Sequence, residues 1–103
     1  MKLNINGQSH EIKFTPATTR RMKQLGWEVE DLPEKLSAKL PLLERFSNLI
    51  EIIWCMLPAE VIAQYPQPDD RFAEALDMAL FSNATAHAIG AEFDAAITQM
   101  PQE

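Results

Sequence analysis

The chain is poor in the residues that build covalent frameworks and phosphate cradles. Cys55 is its one cysteine in 103 residues, so no intramolecular disulfide and no cysteine-based metal cluster can form. A reducing compartment is the default, and the cytoplasm is the expected location. Glycine occurs three times, and neither the Gly-x-Gly-x-x-Gly fingerprint nor the Walker pattern is present. Aromatic residues are 8% of the chain, and the apolar set leans on Leu, Ile, Ala and Met, which suits helix packing better than a β-sandwich. Long apolar runs are missing too. The longest, Ile52 to Leu57, falls far short of the about 20 residues that a membrane span needs. The N-terminus shows no apolar signal-peptide region, so secretion by that route is not expected.

Basic charge is scarce in the second half. Residues 46–103 hold nine acidic side chains and one basic one, Arg71, whereas residues 1–45 hold eight basic and six acidic ones. An acidic half repels a phosphate backbone, leaving the thin cluster Lys13, Arg20, Arg21 and Lys23 as the sole route to nucleic acid. Nucleic-acid binding is therefore not the reading adopted. A basic partner, or a basic face of a second copy, is easier to accommodate.

What is present describes a globular chain, with 47% hydrophobic and 23% charged residues. A single domain over 1–103 fits that length. Residues 2–14 alternate, with Leu3, Ile5, Ile12 and Phe14 as the apolar set, and Asn6-Gly7 lies between the two segments. Asn-Gly is a strong hairpin signal because both residues tolerate positive φ. Two strands are marginal alone, so helices or another subunit must cover their apolar face. The fold class is α+β: an N-terminal β-hairpin followed by a mainly helical part, 16–100, of four to six helices.

Thr15 as N-cap, Pro16 as first helical residue and Gly26 as terminator frame a short helix over Pro16 to Leu25. Asp31 and Glu34 have capping-box spacing and introduce a second helix over Pro33 to Lys39. The strongest signal is Pro41 to Leu57. Leu42, Leu43, Phe46, Leu49, Ile50, Ile53, Trp54 and Leu57 form its stripe, with Glu44, Arg45, Asn48 and Glu51 on the opposite side. Pro58 opens another short helix that stops at Pro66, and the prolines of Tyr65 to Asp70 make a loop. Asp69 or Asp70 caps the next helix, in which Phe72, Leu76, Ala79 and Leu80 share a face. Residues 71–100 are compatible with one helix or two. Towards the C-terminus Ile89, Phe93, Ala96, Ile97 and Met100 form a close-packed seam among alanines, and Gly90 either interrupts the helix or marks a close crossing.

No catalytic constellation emerges. His10 and His87 are joined by no motif to Cys55 or to a carboxylate, and Cys55 lies in the most apolar run, where burial deactivates a thiol. Asp69, Asp70, Glu74 and Asp77 lack the calcium-loop pattern and read as helix-opening carboxylates. Neither a cofactor nor a metal is expected. The large apolar residues are more informative, because a core this small has limited cover to offer them. Trp27, Phe46, Ile50, Trp54, Met56, Tyr65 and Phe81 are the candidate residues of a protein interface.

The opening Met1-Lys2-Leu3-Asn4-Ile5-Asn6-Gly7, the second strand His10-Glu11-Ile12-Lys13-Phe14 and the apolar helix around Leu49 to Leu57 resemble the tail assembly chaperones of long-tailed bacteriophages and prophages. That resemblance implies a non-enzymatic protein that shields the helical tape-measure protein before the tail tube polymerises, that forms homo-oligomers and that works in the host cytoplasm. It brings no catalytic residue to carry over. Phe46, Leu49, Ile50, Ile53, Trp54 and Leu57 would supply packing and an interface. The alternatives are a small phage or bacterial structural or adaptor protein of the same shape, and a regulatory nucleic-acid-binding module.

Overall fold

In the computed structural model, residues 1–99 are described; residues 100–103 fall outside the description, and with them the place of Met100 in the expected seam. The Asn6-Gly7 turn sets the first element. Asn6 and Gly7 have φ of 52° and 80°, the positive pair that matches a two-residue turn to the right-handed twist of the strands. Strands β1 (Lys2–Ile5) and β2 (Gln8–Glu11) pair antiparallel, with Leu3 opposite His10 and Ile5 opposite Gln8. Pairing runs one step further, since the Ile12 amide donates to the Met1 carbonyl at 2.7 Å. Leu3, Ile5, Ile12 and Phe14 are all buried, as the alternation predicts.

Helix α1 (Pro16–Gln24) begins where Thr15 and Pro16 place it. The Thr15 amide donates to Thr18 Oγ1 at 3.0 Å, which satisfies one donor at the helix entrance. Gly26, at φ 84°, ends the helix. The Trp27 amide donates to the Met22 carbonyl at 2.9 Å and the Gly26 amide to that of Lys23 at 3.0 Å, the paired bonds of a Schellman terminus. Met22 and Trp27, the two residues that such a terminus brings into apolar contact, are both buried.

The second helix is shorter than the spacing predicts. After a 3₁₀ turn at Val29–Asp31, α2 covers Leu32–Lys35 alone. The Asp31 carboxylate accepts from the Glu28 amide behind it at 3.3 Å, so the expected capping box does not form. Helix α3 spans Leu42–Cys55, about 21 Å long. Its buried face differs from the predicted stripe at the N-terminal end, where Leu42 and Leu43 are 53% and 81% exposed; at the other end Leu57 is buried as the spacing predicts, and Ile52, Cys55 and Met56 widen the buried face. Asn48, expected on the solvent side, is buried and donates through Nδ2 to the Lys35 carbonyl at 2.9 Å. A polar residue enters the core there because it satisfies an end of α2 that no cap reaches.

Helix α4 (Ala59–Gln64) follows Pro58. It is tied back to α3 by a buried bond from Trp54 Nε1 to the Tyr65 carbonyl, 2.8 Å. Helix α5 (Asp70–Ala75) is capped by Asp69, whose carboxylate accepts from the Phe72 amide at 3.2 Å. It stops before Leu76, contrary to the shared helical face expected of Phe72, Leu76, Ala79 and Leu80. Leu76 is extended and bridges Ile5, and the Asn6 amide donates to the Ala75 carbonyl at 2.8 Å. Unpaired backbone groups at the hairpin edge outcompete the helical pattern. A 3₁₀ turn (Met78–Leu80) then leads to α6 (Asn83–Gln99), one continuous 17-residue helix.

The core gathers the hairpin, α1 to α6 and the Trp27 corner into one cluster. Phe14 meets Phe93 edge-on at 5.1 Å, and Tyr65 meets Phe72 in the same manner at 5.5 Å. The Met1 amine reaches Glu92 of α6 at 2.9 Å, and this hydrogen bond raises the amine pKa. The hairpin and the C-terminal helix are thereby held together by apolar and ionic contacts.

Candidate functional site

The site is built from what α6 leaves uncovered. Thr85, Ile89 and Phe93 turn one face of α6 into the core. Of the residues offset from them, Ala86, Gly90 and Ala91 form the floor of a groove and Asn83, His87 and Asp94 one wall. Its other wall comes from α2 and the connection to α3: Leu32, Pro33, Leu36, Ser37 and Ala38. This part encloses about 530 Å³. A second cleft of about 270 Å³ adjoins it, lined by Leu36, Leu42, Arg45, Phe46, Leu49, Phe81, Ser82, Asn83 and Ala86. Leu36, Asn83 and Ala86 line both, so the two form one groove along α6. From Asn83 to Asp94 it follows the helix for about 16 Å.

Local sequence explains the shape. Ser82 caps α6 by accepting from the Thr85 amide at 3.3 Å, which starts the helix directly after Phe81. Phe81 packs on Phe46 with ring centroids 5.0 Å apart, and these half-buried rings close one end. Along the floor the side chains are small. A Cβ built at Gly90 meets nothing within 4 Å, so no crossing segment among the described residues accounts for that glycine.

Arg45 is the basic residue of the smaller cleft. Its Nη1 reaches Asn83 Oδ1 at 3.4 Å, and its Nε is buried without an acceptor among the described residues. No carboxylate lines that cleft, and the ion pairs of the described residues involve only the Met1 amine, with Glu11 and Glu92.

The seven interface candidates divide. Trp27, Trp54, Met56 and Tyr65 are buried within the subunit, and both indoles have acceptors, Glu51 Oε2 at 3.3 Å and the Tyr65 carbonyl. Phe46, Ile50 and Phe81 are half-buried, and Phe46 and Phe81 line the groove. Ile97, placed in the seam by its spacing, is 42% exposed. Arg45 and Leu36 were not among the candidates; the available signal was Gly90 beside Ala86 and Ala91, which marks a face without bulk.

The basic cluster is dispersed in its uses. Arg21 donates to the Cys55 and Leu57 carbonyls at 3.0 and 2.6 Å, where a cation offsets the C-terminal end of α3. Lys13, Arg20 and Lys23 are exposed. His10 lies on β2 and His87 on the groove wall. Among the described residues no three His, Cys, Asp or Glu side chains converge as a metal site. Cys55 is fully buried, and desolvation pushes its thiol pKa up to about 12. No described helix is long and apolar enough to cross a membrane. Comparison with protein-family models, curated proteins and solved structures gives no match to the chain.

Proposed function

We propose that the protein is a non-enzymatic binding subunit that shields an apolar helical client, as the tail assembly chaperones it resembles shield the tape-measure protein. The observation that carries this reading is the continuous groove along α6, with small residues on its floor and Leu36, Phe46 and Phe81 at its side. Helices pack at interaxial distances of about 8–10 Å, and small side chains at the contact set the closest approach. A helix laid in such a groove buries its apolar face against a preformed surface. The acidic balance of the chain, net −6, keeps a loaded complex dispersed.

Co-expression with a long helical tape-measure protein tests the proposal. The client is expected to stay soluble in the presence of this chain, to copurify with it, and to lose both properties with Gly90→Leu. A client equally soluble with and without the chain contradicts the function and favours a structural or adaptor role.

A further inference from the structure

Arg45 gives the groove a chemical preference. A guanidinium offers five N–H donors in a rigid fork, which a carboxylate meets with two parallel bonds. Here the fork has one long contact to a neutral amide oxygen, and a buried Nε without an acceptor among the described residues. The remaining walls of its cleft are largely apolar, and among the described residues no Asp or Glu lines it. The buried Nε is closed to an incoming ligand, so a carboxylate meets the guanidinium through its Nη donors, whose charge no carboxylate of the described residues neutralises.

The floor restricts the shape of the ligand. Gly90 lies in the interior of a 17-residue helix with open space beyond it. Glycine there is less favourable than alanine by about 1 kcal/mol, and no contact among the described residues compensates. The backbone of another helix is the kind of object that a glycine admits and a larger side chain blocks.

We infer that the groove takes an amphipathic helix of a partner protein whose apolar face carries one carboxylate, with Arg45 as the fork for that carboxylate and Gly90 under the helix backbone. This rests on the client-binding reading above and specifies its recognition chemistry. A second copy of the chain is a poorer occupant. Among the described residues its exposed large apolar side chains are Leu42, Leu43, Met78 and Ile97, scattered over three elements, and no described helix presents two of them a turn apart.

The test uses two fluorescein-labelled 18-residue Leu/Ala helical peptides that differ at one central apolar-face position, Glu in one and Gln in the other. Anisotropy titrations with the full chain are expected to give about tenfold tighter binding of the Glu peptide. Arg45→Gln should reduce that preference to below about twofold, by the same arithmetic. Arg45→Glu should transfer it to a Lys peptide, which guards against a variant that is merely unfolded. Gly90→Leu should abolish binding of both peptides while leaving cooperative thermal unfolding intact. Equal affinity of the Glu and Gln peptides for the unaltered chain overturns the role of Arg45 and leaves the groove reading standing. Binding unchanged by Gly90→Leu, or no binding of either peptide, overturns the groove as the site. Arg45-dependent dimerisation without peptide binding assigns the groove to a second copy and overturns the inference.

Discussion

At the residue scale, enclosure rather than hydrophobicity decides what a side chain contributes. Ile53 is fully buried and Leu43, ten residues earlier on the same helix, is 81% exposed. Ile53→Ala should therefore cost about 2–5 kcal/mol through lost burial and a residual cavity, and Leu43→Ala within about 0.5 kcal/mol. Urea unfolding midpoints check this, and near-equal midpoints would place the buried face of α3 elsewhere. Cys55 adds a pH dependence of its own in the alkaline range, beside that of the Met1 amine. Its folded pKa, about 12, lies above the ordinary 9.0 because burial disfavours the thiolate. The sign follows from proton binding: the contribution is complete below pH 9 and is lost as pH climbs from 9 towards 12, where the unfolded chain ionises and the folded one resists. At pH 8 a disulfide reagent should label the denatured chain rapidly and the native chain only at the rate of opening. Immediate stoichiometric labelling of the native chain would show that the thiol is accessible.

At the scale of elements, two glycines argue in opposite directions. Gly26 holds φ at 84° at the end of α1, where an L-residue is strained, so Gly26→Ala should destabilise by about 1 kcal/mol. Gly90 is helical and its added Cβ meets no neighbour, so Gly90→Ala should stabilise by a similar amount, about 1 kcal/mol. Thermal unfolding of the two variants should show midpoints moving apart from the unaltered chain, and a shift of both in one direction contradicts this account of α1 or α6. Elements with local signals were legible in the sequence: Asn6-Gly7, Thr15-Pro16, Gly26 and Asp69 each act where their chemistry places them. Those decided by tertiary competition were not. Leu76 leaves its helical pattern to bridge Ile5, and Asn48 enters the core to serve the Lys35 carbonyl. Neither choice has a local signature.

At the scale of the molecule, the same division runs through the site. A chain of 103 residues buries Trp27, Trp54, Met56 and Tyr65, so residue size alone points to the interior. The groove arises instead from what α6 lacks on one face, and absence of bulk at Ala86, Gly90 and Ala91 reads in sequence equally well as close packing within the chain. Only the placement of α2 and α3 distinguishes an occupied seam from an open one. Titration of the ¹⁵N-labelled chain with the Glu-bearing amphipathic peptide, followed by backbone amide shifts, tests directly the proposal that this open face receives a helix. Saturable shifts concentrated at Leu36, Arg45, Phe46, Phe81, Ala86 and Gly90, with β1, β2 and α4 unmoved, are expected; shifts concentrated on α1 or α4, or none at all, would rule the proposal out.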